Sequence, residues 1–166
     1  GDYVTLYNCH AYYNQRHGIQ FTNNADDGVI VGGVVHDNSE SGAGTYQGIY
    51  IESSLRTRIE GVRIFGANQD AGVRINDGND VSVVGCTIGA NRTAGIWIQD
   101  GDDDQFCSNR FITEQTPLNG NRAACVRPMV IGNSWKGCTN NANFAGAIAP
   151  RITSNIDTAG AWCPTT

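Results

Sequence analysis

The chain has 166 residues, enough for one domain with a buried core and too few for two ordinary ones. Eleven Lys and Arg against 16 Asp and Glu give a formal charge of −5, opposite to the basic balance of a nucleic-acid binder. Glycine is 21 of 166 and charged residues are only 16%, which favours turns and short strands over a helical bundle. No apolar run approaches the ~20 residues of a membrane helix, so membrane insertion is not expected.

The first residues already read as a strand, and the amino end is expected to be cut from something longer. From there four segments open with glycine and alternate every second residue: Gly18-Ile-Gln-Phe21, Gly48-Ile-Tyr-Ile51, Gly72-Val-Arg-Ile75 and Gly95-Ile-Trp-Ile98. Their glycines lie 30, 24 and 23 residues apart, and Asn14, Asn68 and Asn91 each precede one of them by four. Each segment is followed by a polar turn and a second apolar stretch, at 29–35, 59–65, 81–88 and 106–112. Residues 4–21 lie over 81–98 without a gap, matching Val4 to Val81, Cys9 to Cys86, Asn14 to Asn91 and Gly18 to Gly95.

A period of 23–24 residues with short strands and no helical spacing describes a coil of a parallel β-helix. Coils stacked about 4.8 Å apart place equivalent residues in ladders. The expected inward ladders are Ile19/Ile49/Val73/Ile96, Phe21/Ile51/Ile75/Ile98 and Leu6/Val29/Ile59/Val83/Phe106. An insertion at 39–47 lengthens one coil, and such loops often carry function. After Thr113 the repeat decays and all four prolines appear. The reading is therefore an all-β solenoid of about five coils at 1–113, with a last irregular coil and cap at 114–166.

The Asn-x-x-x-Gly-Ile/Val-x-Ile/Phe pattern resembles right-handed parallel β-helix proteins of the pectate-lyase-like superfamily. The run from Asn14 to Asp27 is similar to a coil of the mannuronan epimerases, and phage tailspikes and polysaccharide depolymerases share the same coil grammar. The epimerase Asp-Pro-His-Glu run is absent, so that family's catalytic set does not carry over; Asp27 alone falls where it places a further acid. The resemblance implies a polysaccharide partner, a fragment of a tailspike-like or depolymerase-like protein, and an extracellular, secreted or virion-surface location.

Outward residues between the buried ones read Gln20, Tyr50, Arg74, Trp97. Aromatic faces pack on sugar rings and a guanidinium meets carboxylates in bidentate fashion, so this ladder is the candidate binding face. Packing of the same ladder in a homotrimeric fibre or coat module is the non-catalytic alternative. The preceding turn collects Arg16, His17, His36, Asp37, Asp70 and Arg92, with Glu40 and Tyr46 from the insertion. A lyase or epimerase on uronate polymers would draw a base and a carboxylate-neutralising cation from this set. Asp37 with Asp70 would be the pair for hydrolysis. A second outward column reads His10, Gly33, Arg63, Thr87, Arg110, suited either to a polyanion or to solvent.

The opposite turn stacks acids at Asp26–Asp27, Asp77 and Asp80, and Asp100 through Asp104. Asp77, Asp80, Asp100 and Asp103 could supply oxygen ligands to Ca²⁺, and Asx turns account for the same residues without metal. Of the six cysteines, Cys9 and Cys86 lie three coils apart, too far to bond, and are expected as buried thiols. Any disulfide is expected at Cys138–Cys163 first, then Cys107–Cys125, with Cys125–Cys138 as the alternative.

Overall fold

The computed structural model describes residues 3–23, 25–120, 125–140 and 142–157. Every regular element among them is a strand, and every strand pairing is parallel. Three sheets run the length of a right-handed solenoid of about six turns, one more than the repeat suggests. The first sheet stacks Thr5–Tyr7, Val29–Val31, Arg58–Glu60, Ser82–Val84, Gln105–Cys107, Met129–Ile131 and Arg151–Thr153. The second stacks His10–Tyr12, Val34–His36, Arg63–Phe65, Thr87–Gly89, Arg110–Ile112, Ser134–Lys136 and Ile156–Asp157. The third stacks Ile19–Thr22, Ile49–Leu55, Ala71–Asn79, Ala94–Asp102 and Thr116–Asn119, with Cys125–Val126 pairing off the fourth of these. The ladders therefore continue past Thr113, where the sequence repeat fades.

Two of the expected inward ladders stand in register. Ile19, Ile49, Val73, Ile96 and then Leu118 pair in turn, as do Phe21, Ile51, Ile75 and Ile98. The third is off by one residue. Ile30, not Val29, joins Leu6 to Ile59, Val83, Phe106 and Val130. A one-residue slip sends every side chain to the other face, and Val29 accordingly stands outward beside Arg58. In the second outward column Val34, not Gly33, lies between His10 and Arg63 for the same reason.

The repeat glycines answer a close approach rather than a turn. A Cβ on Gly72 would lie 2.8 Å from the carbonyl oxygen of Gly95 and 2.8 Å from Ile88 Cγ2, and Gly48 faces Gly72 in the same way. The corners bend through the left-handed region instead: Asn8, Gly32, Gly61, Gly85, Ser108, Gly132 and Ser154 form one such ladder at φ +49° to +64°. One residue further on, buried Asn109, Asn133 and Asn155 pass hydrogen bonds from coil to coil at 2.9–3.0 Å. Each amide also donates to a core carbonyl, so the ladder is satisfied inside the stack.

A second polar ladder forms at the corner before the third sheet. Asn14 donates to Asn38, Asn38 to Gln69, Gln69 to Asn91, and Asn91 to Glu114 at 2.6 Å. Gln69 takes the rung the spacing assigns to Asn68, whose side chain reaches Glu40 instead. The insertion at 39–47 is pinned to this corner. Ser39, Glu40 and Ser41 donate backbone N–H groups to Arg16, Asn14 and Gln15, and Gly44 to Asn68.

Cys86 is buried as expected, while Cys9, in the first coil, is only half-buried. Cys107 and Cys125 are free thiols, because Cys107 stands on the outer side of its strand and Cys125 faces the core. That removes Cys125–Cys138 as well, and Cys163 lies outside the described residues.

Candidate functional site: the outer face of the third sheet

Period-2 alternation brings two parallel outward columns onto the third sheet. One is Gln20, Tyr50, Arg74, Trp97 and Asn119, paired rung by rung. The other holds Thr22, Glu52 and Asn76, with Gln99 at the irregularity between Ile98 and Asp100. Glu52, Asn76 and Gln99 were not singled out from the sequence. The signal was present, since each stands two residues after a member of the first column.

These columns are tied together. The Arg74 guanidinium lies 4.5 Å from the Trp97 ring centroid and its Nη2 donates to Gln99 Oε1. Its Nε is buried with no acceptor among the described residues. Tyr50 donates its hydroxyl to Glu52 at 3.0 Å, and Asn76 donates to both groups at 3.3 Å. Burial and the Glu52 bond push the Tyr50 phenol above its ordinary value.

His17, Tyr46 and Arg16 close the upstream edge. The His17 ring stacks on Tyr50 at 4.6 Å and meets Tyr46 edge-on at 5.1 Å, and Arg16 lies 5.8 Å over Tyr46. The backbone N–H of Gln47 donates to His17 Nδ1 at 3.1 Å. Burial, then the Arg74 charge, lowers the His17 pKa. The neutral ring therefore carries its proton on Nε2, and its one lone pair is already used. His17 suits a stacking donor better than a general base.

The other residues expected at this turn separate. His36 and Asp37 form their own pair, Nδ1 to Oδ2 at 2.9 Å, at the end of the second sheet. Asp70 is 9% exposed and accepts from the Thr93 hydroxyl at 2.5 Å, so it does not face solvent as an open partner to Asp37. Arg92 is exposed and lies along the insertion at Gly44.

The expected calcium set does not converge either. Among the described residues no three His, Cys, Asp or Glu side chains come together as metal ligands. Arginines from neighbouring coils occupy part of this turn. Arg127 binds Asp103 through two bonds of 2.8 Å, and Arg56 binds Asp27 at 2.6 and 2.8 Å. These bonds hold both carboxyls below their ordinary range. Asp77 accepts from Ser53, Asp100 is exposed, and Asp80 borders an open groove with Asp103, Arg127 and Arg151.

No curated protein and no solved structure matches the chain. A family model described as "Right handed beta helix region" matches residues 1–150, in agreement with the parallel ladders, and the chain belongs to that family.

Proposed function

We propose that the outer face of the third sheet binds a polysaccharide. The observation that carries this reading is the Tyr50–Arg74–Trp97 column, with Glu52, Asn76 and Gln99 beside it and His17 and Tyr46 at its edge. Aromatic faces accept the C–H faces of pyranose rings, while the amides and the carboxylate match ring hydroxyls. Rungs about 4.8 Å apart are close to the length of one sugar unit, so a chain laid along the stack meets successive rungs. Arg74 favours a polymer bearing carboxylates.

Turnover of the polymer is a second reading, favoured by His36. Asp37 holds Nδ1 and leaves Nε2 for a proton, the arrangement of an oriented general base.

One experiment tests both: proton NMR of a panel of acidic and neutral polysaccharides before and after incubation with the chain. Broadened polymer signals with an unchanged structure support a binding module. New unsaturated-uronate or inverted ring signals support a lyase or an epimerase. A panel with neither change overturns both readings, and light scattering of the same sample then tests the homotrimeric fibre.

A further inference from the structure

The second sheet carries a stack of rings that stops at a glycine. Its outward column runs Tyr12, His36, Phe65, Gly89, Ile112, Lys136, one residue per coil. Tyr12 and His36 stack at 5.2 Å and 6°, and His36 and Phe65 at 5.0 Å and 12°. At the next rung Gly89 has no side chain. A notch of about 280 Å³ opens there, walled by Phe65, Ile112, Ala90 and Thr113 and edged by Arg63 and Thr87.

We propose that this notch binds a flat aromatic ring carrying an anionic group. Phe65 and Ile112 are two rungs apart, about 9.6 Å at ~4.8 Å per coil. A Cβ on Gly89 would already press on the Ile112 carbonyl at 2.8 Å, so a ring enters farther out, stacking on the open face of Phe65 as His36 does at 5.0 Å on the other side, with the Ile112 side chain opposite. The walls are apolar: the Thr113 hydroxyl bonds the Ile112 carbonyl, and Thr87 supplies the one neutral polar group at the edge. A pyranose would turn the hydroxyls on its buried side against these apolar walls, which a bare aromatic ring avoids.

The charge comes from the adjacent column. Arg63, Thr87 and Arg110 pair in consecutive rungs, two residues before Phe65, Gly89 and Ile112. Arg63 leans over Phe65 at 5.7 Å, and neither arginine has an acidic partner among the described residues. A carboxylate on the bound ring meets the Arg63 guanidinium and the Thr87 hydroxyl at the edge of the notch, with the Arg110 rung next along the column.

Benzoate is the probe, titrated into ¹⁵N-labelled chain with amide shifts as the readout. The expected result is saturable shifts centred on Phe65, Thr87, Gly89, Ala90 and Thr113, with a Kd of about 1 mM for so small a ligand. Arg63→Gln weakens binding about tenfold, as does replacing benzoate by benzyl alcohol. Phe65→Leu weakens it by a similar factor; Arg63 is exposed, so its variant carries the test if Phe65→Leu unfolds. Absence of these shifts at about 20 mM benzoate overturns the site. Equal binding of cyclohexanecarboxylate or galacturonate overturns the flat ring, and equal binding of benzyl alcohol overturns the anion.

Discussion

Arg74 and Trp97 stand one coil apart on the same column, with the guanidinium 4.5 Å from the indole centroid. The stack and the bond to Gln99 hold the guanidinium against the indole. Trp97→Ala is therefore expected to weaken polysaccharide binding about tenfold or more, by loss of the ring and of the surface that orients Arg74. Arg74→Lys keeps the charge but loses the planar stack and the fork, and is expected to weaken binding of acidic polymers more than neutral ones. Titration calorimetry of both variants against one acidic and one neutral polymer checks the pair; equal losses on both polymers would remove Arg74 from charge recognition.

Glu114 ends the donor chain that begins at Asn14. Oε1 accepts from Asn91, while buried Oε2 has no partner among the described residues. Burial pushes its pKa up to about 7, and burial also raises that of Asp104 in the core. A raised carboxyl pKa means the folded state binds more protons than the unfolded one, so stability falls as pH rises. For Glu114 the window runs from an unfolded value near ~4.5 up to about 7 in the fold, and the full shift corresponds to about 3 kcal/mol. Urea unfolding at pH 5 and pH 8 is expected to show the wild type losing stability across that range. Glu114→Gln should lose less, with the remaining slope combining Asp104 and the opposite contribution of His17, whose lowered pKa favours the fold as pH rises.

The ladders of the third sheet were legible because Gly18, Gly48, Gly72 and Gly95 each have strict alternation directly behind them. Phase failed where alternation failed. Gly28-Val29-Ile30-Val31 and Gly32-Gly33-Val34-Val35 are runs of small or β-branched residues with no polar member to mark the outer face. The corner before Gly72 is one residue shorter than those before Gly18 and Gly95, so Gln69 rather than Asn68 reached the inner rung. The acids were visible, but the partners of Asp27 and Asp103 come from 29 and 24 residues further on, a distance set by coil length and invisible to local spacing. The step from His36 to Phe65 was hidden because the insertion lies between them and lengthens that coil.

His17 gives a pH prediction of its own. Its Nδ1 accepts the Gln47 N–H, and burial together with Arg74 lowers its pKa below the ordinary histidine value. Long-range ¹H–¹⁵N NMR is expected to find an unprotonated Nδ1 and a protonated Nε2 at pH 7. Polysaccharide binding should then be flat from pH 7 upward and change only on acidification below the ordinary histidine value. A doubly protonated His17 at pH 7 would contradict this assignment.

Two glycines, one within the third sheet and one at a corner, should respond differently to substitution. Gly72 has an ordinary φ, but a Cβ there would press on the Gly95 carbonyl and Ile88 at 2.8 Å each, and on Asn91 Nδ2 at 2.9 Å. Backbone packed on backbone cannot give way locally, so Gly72→Ala is expected to destabilise the fold by about 2 kcal/mol or more. Gly85 sits at φ +63° with nothing within 4 Å of its would-be Cβ. Its corner rung in the first coil is held by Asn8 at φ +49°, and Asn tolerates that conformation better than other side chains. Gly85→Asn should therefore cost less than about 1 kcal/mol. Urea midpoints of the two variants decide the point: equal losses would mean that the repeat glycines serve backbone conformation, and a loss confined to Gly72→Ala would mean that they serve the close stacking of coils.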